Sequence, residues 1–218
     1  MDYVIRQETP ADYATVENLT REAFWNVYRP GCLEHYVLHT FRGRPDFIPE
    51  LSLVLEATEG GALAAAALEA TGSRIIAHVM FAWSKIDLDD GSERRIMTFG
   101  PISVHPRFQR QGYGKRLLEH AMDIARDMGA GALAMCGNIR FYGTCGFVVA
   151  TTRGVRYADD PDGEAPYFLV KELSAGFLDG VKGSYKDPAG YFVDDAEADA
   201  FDRQFPPKRK EKRPGQLV

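Results

Sequence analysis

Apolar residues recur along the chain at two spacings, one of two residues and one of three to four, and these divide it into strands and helices. Residues 3–6 read as a short strand. Thr9-Pro10-Ala11-Asp12 then opens a helix, with Thr9 as N-cap and Pro10 at the first helical position. Ala14, Val16, Leu19, Ala23 and Phe24 fall on one face, so this helix is expected to reach about Trp25. Residues 32–41 predict a second, shorter helix that stops before Gly43 and Pro45. Residues 51–57 are strand-like. After Gly60-Gly61 comes an alanine-rich stretch with two open readings, since alanine favours helix while a hairpin would suit the flanking strands. Residues 74–86 and 95–104 predict strands joined through Asp89-Asp90-Gly91-Ser92 and paired antiparallel.

The most regular helix follows. Leu117, Leu118, Ala121, Met122, Ala125 and Met128 repeat at helical spacing, and Gly129 and Gly131 end it. Residues 132–136 predict a buried strand, 139–144 one or two helical turns, and 146–149 and 168–173 two further strands. Beyond Ser174 the composition shifts towards Gly, Asp and aromatic residues. Residues 178–205 are expected to pack as an extension, and the basic run after Pro206-Pro207 to form a solvated, disordered tail. The expected organisation is thus a domain over residues 1–173 with an appendage over 174–218.

Composition narrows the class. The chain has 218 residues, 45% hydrophobic and 26% charged, which suits a globular protein with a core of its own. A net charge of -5 gives no general reason to bind nucleic acid or an anionic membrane, and the basic tail is the one local exception. Cys32, Cys136 and Cys145 are odd in number and lack any Cys/His cluster, which argues against a metal site and against a disulfide framework. Reduced thiols in a cytoplasmic protein are the expectation. The N-terminus lacks a signal-peptide pattern, and no stretch reaches the roughly 18 apolar residues of a membrane helix.

Chemistry is concentrated between the last long strand and the regular helix, in Val104-His105-Pro106-Arg107-Phe108-Gln109-Arg110-Gln111-Gly112-Tyr113-Gly114-Lys115. Glycines at 112 and 114 permit a tight turn and close approach of a ligand to the backbone. Free amides and the dipole at the start of the following helix favour an anion. Arg110 and Lys115 add positive charge. A P-loop is excluded twice, because Gln109 stands at its first glycine and Arg116 at its Ser/Thr. A dinucleotide fingerprint is excluded by Leu117 at the third glycine. By itself, a strand-to-helix turn with two glycines can also be purely structural.

Gln109, Gly112 and Gly114 match the acyl-CoA signature Gln/Arg-x-x-Gly-x-Gly/Ala in full. With Val104 and Pro106 before it, and Tyr142, Gly146 and Phe147 matching a downstream Tyr-x-x-x-Gly-Phe element, residues 1–173 resemble the GNAT superfamily of N-acetyltransferases. The pieces around Asp179-Gly180-Val181-Lys182 and Phe201-Asp202-Arg203-Gln204 are similar to a bacterial subgroup of these enzymes. Three features depart from the common pattern: Ile139 where related sequences often carry proline, the long alanine-rich stretch, and everything beyond Leu173.

The resemblance implies an α/β (α+β) fold, with a mixed, mostly antiparallel central sheet flanked by helices. It implies acetyl-CoA as co-substrate, an unidentified amine as acceptor, no metal, and leaves a homodimer open. The strand Pro101-Ile102-Ser103-Val104 would serve the acetyl group and pantetheine arm through Ile102, Ser103 and Val104, since Pro101 has no amide to donate. Gln109, Arg110, Gln111, Gly112, Tyr113, Gly114 and Lys115 would hold the pyrophosphate. Tyr142 would protonate the leaving thiolate. Asn138 would bond the pantetheine amides or else cap the helix that follows it. His78, His105, Glu56 and Glu69 are weak candidates for a base, and none is assigned. Cys145 as an acyl carrier carries little weight, because a lone buried cysteine is more often a small core residue. The alternative function is a non-catalytic acyl-CoA sensor on the same fold.

Overall fold

The computed structural model describes residues 2–216. Along them run β1 (Tyr3–Gln7), α1 (Tyr13–Phe24), α2 (Glu34–Phe41), β2 (Leu53–Ala57), α3 (Ala62–Thr71), β3 (Ile75–Leu88) and β4 (Glu93–Val104). Then come α4 (Tyr113–Asp127), β5 (Ala132–Cys136), α5 (Ile139–Tyr142), β6 (Val148–Val149), β7 (Val155–Tyr157), β8 (Phe168–Glu172), β9 (Gly183–Tyr185) and α6 (Asp195–Asp202). The strands form a mixed, mostly antiparallel sheet, as the resemblance implied. The backbone condenses into two compact units and passes between them within β3, β4 and α4. The extension beyond Leu173 contributes to both, residues 174–188 to one and those from Ala189 onward to the other. Among the described residues, no helix is long and apolar enough to cross a membrane.

The first unit combines residues up to Met80, Pro101–Leu118 and those from Ala189 on. Here β1 pairs antiparallel with β2, from Tyr3↔Ala57 to Gln7↔Leu53, and β2 antiparallel with the start of β3. Leu53, Val54 and Leu55 are all buried, so β2 reads as a continuous apolar run rather than an alternating one. The alanine-rich segment is helical, so intrinsic propensity decides between its two readings. Gly72, at φ 70°, ends it.

A buried ionic cluster joins the elements of this unit. Arg42, the residue that follows α2, reaches Glu8 at 2.6 Å and Glu17 of α1 at 2.5 Å, and its guanidinium lies 3.9 Å from the Tyr13 ring centre. Ser52 donates to Glu8 at 2.8 Å and contacts His78 Nε2 at 3.1 Å. His78 has no exposed surface, and burial holds its imidazole well below the ordinary value. Burial likewise takes His35 of α2 down to about 4, with Asp202 opposing and Arg21 reinforcing the shift. Both rings stay neutral in the folded protein at a pH where an unfolded histidine, near 6.5, is charged. The unfolded chain therefore binds more protons, and stability falls as pH drops from about 6.5 towards about 4. His35 alone contributes up to about 3 kcal/mol of that loss. Urea midpoints at pH 7.5 and pH 4.5 will show it, and equal midpoints would exclude it.

The C-terminal part of this unit is anchored on α1 and α2. Asp194 caps α6 by accepting from Ala196 and Glu197 amides at 2.8 and 3.0 Å. Asp195 and Glu197 sit in the first turn, where the helix dipole favours negative charge. Asp202 at its other end meets the buried Arg21 of α1, Nε to Oδ1 at 2.5 Å and Nη2 to Oδ2 at 3.1 Å. Where the sequence suggested a solvated tail, residues 206–216 lack regular structure yet are held by specific bonds. The Arg209 carbonyl accepts from Trp25 and Asn26 at 3.0 Å each, and Lys208 pairs with Glu22 at 2.8 Å. Lys210 pairs with Asp199.

The second unit comprises Phe81–Gly100 and Glu119–Pro188. β4 pairs parallel with β5 at Met97↔Leu133, β5 antiparallel with β8, and β8 antiparallel with β6. The far end of β3 pairs antiparallel with β9, which pairs parallel with β7. Ile86, Ile96, Phe168, Val170, Val181 and Tyr185 lie in its core. Glycine is required at 183, because a Cβ there would sit 2.5 Å from the Asp87 carbonyl oxygen.

Candidate active site

The phosphate-loop candidates occupy the first unit. After β4, His105-Pro106-Arg107-Phe108 makes a single tight turn, with Phe108 buried beneath it and the His105 ring accepting from the Arg107 amide at 3.3 Å. Gln109 folds back, its Nε2 donating to the Val104 carbonyl at 3.0 Å. Gln111 braces the turn in the same way against the Arg107 carbonyl at 3.0 Å. Arg110 and Gly112 both take left-handed backbone, at φ 61° and 88°. For Arg110 that conformation is strained, and strain of this kind concentrates at functional turns. Alternating hands across successive residues turn amide groups towards one side, a geometry suited to an anion. Among the described residues, the amides of Gln111, Gly112, Tyr113 and Gly114 donate to no backbone carbonyl. The first bond of α4 is Arg116 N to Gly112 O at 3.1 Å. Glycine is needed at 112 for its φ and not for room, since a Cβ there would meet nothing within 4 Å.

The strand leading into this turn alternates in exposure. Pro101 and Ser103 are buried, and Ile102 and Val104 are half-buried. The Ser103 hydroxyl points into the interior, donating to Thr20 at 2.9 Å, so only the backbone of Ser103 is available to a ligand. A cavity of 460 Å³ lies beside His105, lined also by Asn18, Glu22, Thr71 and Ser73, and it shares only His105 with the residues singled out from sequence.

Tyr142 occupies the second unit, as the last residue of α5. Asn138 caps this helix, its Oδ1 accepting from the Arg140 amide at 2.9 Å. The Tyr142 ring meets Phe99 edge-on at 5.8 Å, Phe141 at 4.8 Å and Phe147 at 5.7 Å. These contacts account for the Tyr-x-x-x-Gly-Phe spacing. Gly146 at φ 86° turns the chain, and the next residue, Phe147, drops into the core against the tyrosine. Gly137 leaves space for the ring, because a Cβ there would lie 2.4 Å from a Tyr142 ring carbon.

Three of the four candidate bases are engaged elsewhere, and the fourth, His105, lines the cavity. His78 is sealed in the ionic cluster. Glu56 is shared by Arg6 at 2.7 Å and Arg74 at 2.8 Å. Glu69 pairs with Arg107 at 3.3 Å on the surface. Burial lowers His105, with Arg107 and Lys208 reinforcing and Glu22 opposing. Cys145 is buried.

A mixed, mostly antiparallel sheet flanked by helices, with a glycine-turned loop leading from a strand into a long helix, is the fold of GNAT acetyltransferases. The family model described as the acetyltransferase (GNAT) family matches residues 20–147, and the chain belongs to that family. Among solved structures it is similar to the Escherichia coli GNAT family N-acetyltransferase YhbS in complex with CoA, with TM-score 0.68 and 22% identity, covering 88% of this chain and 92% of that one. It is also similar to a GNAT family acetyltransferase from Brucella melitensis in complex with acetyl-CoA, with TM-score 0.62 and 23% identity, covering 87% and 98%. No curated protein sequence matches the chain.

Proposed function

We propose that the protein is an N-acetyltransferase that moves the acetyl group of acetyl-CoA to an amine. The observation that carries the reading is that, among the described residues, the amides of Gln111, Gly112, Tyr113 and Gly114 donate to no backbone carbonyl, ahead of a long helix. The two neighbours solved with CoA and acetyl-CoA support it. Arg110 and Lys115 add charge to the pyrophosphate site, and the backbone of Ile102, Ser103 and Val104 takes the pantetheine arm and the acetyl oxygen. Asn138 Nδ2 stays a donor towards that arm while Oδ1 caps α5.

In the reaction the neutral amine attacks the thioester carbonyl, a C–N bond forms and the C–S bond breaks. The Tyr142 hydroxyl protonates the departing thiolate, and the proton lost by the amine returns to the phenolate through water. With His78 and Glu56 engaged in structural bonds, the acceptor is taken to bind as the neutral amine. The same engagement of His78 and Glu56 favours the alternative, a non-catalytic acyl-CoA sensor. All three cysteines are thiols, which suits the cytoplasm.

The test is coenzyme A thiol release across a panel of amines, together with acetyl-CoA titrations of wild type and Gly112→Val. Forcing a β-branched residue to φ 88° costs on the order of 1–2 kcal/mol and screens the amides. Acetyl-CoA is therefore expected to bind about tenfold more weakly to the variant. Equal affinities would remove the loop from the site. Binding without turnover of any amine would select the sensor.

A further inference from the structure

The end of β5 carries an argument about the acceptor, and it rests on the role given to Tyr142 above. Side chains alternate across a strand. Met135 and Gly137 face one way, since a Cβ on Gly137 would lie 2.4 Å from the Tyr142 ring and 2.8 Å from Met135. Cys136 faces the other way, the side of its cross-strand partner Phe168, whose ring packs on Tyr157 at 5.3 Å and on Tyr185 at 5.0 Å. The tyrosine that would meet the leaving thiolate and the carboxylate of Asp187 thus lie on opposite faces of one strand end.

Asp187 is held rigidly there. Its Oδ2 accepts from Tyr157 at 2.6 Å and its Oδ1 from Tyr185 at 3.0 Å. Tyr185 is fully buried and stacks on Phe168 with ring centres 5.0 Å apart, which fixes one side of the clamp. Tyr157 and Asp187 are only half-buried, so the other side is open to a ligand. No Lys, Arg or His among the described residues pairs with Asp187. The nearby cations are used elsewhere, Arg156 on Asp89 at 2.5 Å and Lys186 on Asp159 at 4.0 Å. Two phenol donors fix the carboxylate and leave its charge uncompensated. The Tyr157 ring beside it, with Tyr167 edge-on at 5.9 Å, offers aromatic faces that also attract a cation.

A carboxylate bound to the reacting nitrogen would keep it as an ammonium and block attack. The partner for Asp187 is therefore a second positive group on the same acceptor. We propose that Asp187, clamped by Tyr157 and Tyr185, is a specificity-determining residue that binds the distal ammonium of a diamine-type acceptor while the other amine attacks the thioester. It acts on KM and preference, not on the chemical step.

A matched pair of acceptors tests this: 1,4-diaminobutane and butylamine, which differ by one ammonium. Wild type is expected to favour the diamine in kcat/KM by about tenfold or more. Asp187→Asn keeps the shape and an acceptor oxygen, and is expected to raise KM for the diamine about tenfold. KM for butylamine and for acetyl-CoA should stay unchanged. Tyr157→Phe removes one clamp bond but keeps the charge, and is expected to retain the diamine preference. Wild type without a diamine preference would overturn the proposal. So would Asp187→Asn that keeps the preference, or that weakens both amines alike together with thermal stability, which is the signature of a merely structural clamp. Calorimetric binding of 1,4-diaminobutane to wild type and Asp187→Asn without acetyl-CoA separates the two readings. Loss of acetyl-CoA binding by wild type would sink the donor-site reading, and diamine affinity that ignores Asp187 would sink this one.

Discussion

Tyr142→Phe is expected to lower kcat for acetyl transfer by about 10²-fold while leaving the acetyl-CoA dissociation constant within about twofold. General acids contribute about 10²–10⁴-fold when correctly positioned, and a thiolate is a good enough leaving group to put this case at the low end. Phenylalanine preserves the ring contacts with Phe99, Phe141 and Phe147, so the local packing survives and only the hydroxyl is lost. A split effect, in kcat and not in affinity or melting temperature, is the mark of an acid. Unchanged kcat would pass proton donation to solvent. A fall in coenzyme affinity and melting temperature with little change in kcat would reduce Tyr142 to a packing residue.

Asp202→Ala is expected to destabilise the protein by about 3–5 kcal/mol, the usual cost of stranding one partner of a buried ion pair. Arg21 has no exposed surface, and its Nη1 already lacks a hydrogen-bond partner. Its remaining support besides Asp202 is the Glu22 carboxylate, 4.0 Å from Nη1, and the rings of Trp25 at 4.3 Å and Phe205 at 5.4 Å. A loss of this size is a large share of the roughly 5–15 kcal/mol that keeps a domain folded. Arg21→Met combined with Asp202→Ala should recover most of it, because an apolar side chain in that site leaves no charge unpaired. Urea unfolding of wild type and these two variants decides the matter. A single-variant loss below about 1 kcal/mol would mean that the site admits water on truncation.

What the sequence discloses follows from how far apart the causes lie. α4 is legible because Leu117, Leu118, Ala121, Met122 and Ala125 are all buried on one side of a continuous helix, and Gly129 at φ 88° closes it. The turn at Gln109-Arg110-Gln111-Gly112 is legible because its glycine is demanded by local backbone and its glutamines bond only four or five residues away. β7 and β9 escape because each is three residues long and exists only by pairing with the other and with β3. α6 escapes for a different reason. Its one buried residue is Ala198, so no apolar stripe announces it. Tyr157, Tyr185 and Asp187 carried no signal either, since two of them meet across 30 residues and none belongs to a spaced pattern. The ion pairs of the basic run are likewise invisible, with Lys208 and Glu22 separated by 186 positions.

Arg21 and Asp202 stand 181 residues apart, and that interval is also an interval of time. At about 5–20 residues per second, synthesis delivers the aspartate roughly 10–40 s after the arginine. Until then α1 carries a cation that cannot be buried without loss, and the apolar face around it stays incompletely covered. The first unit, assembled from three separate stretches of chain, thus cannot complete itself from the N-terminus onward on the ribosome. Its nascent form leaves that side of α1 uncovered until the closing helix has been made.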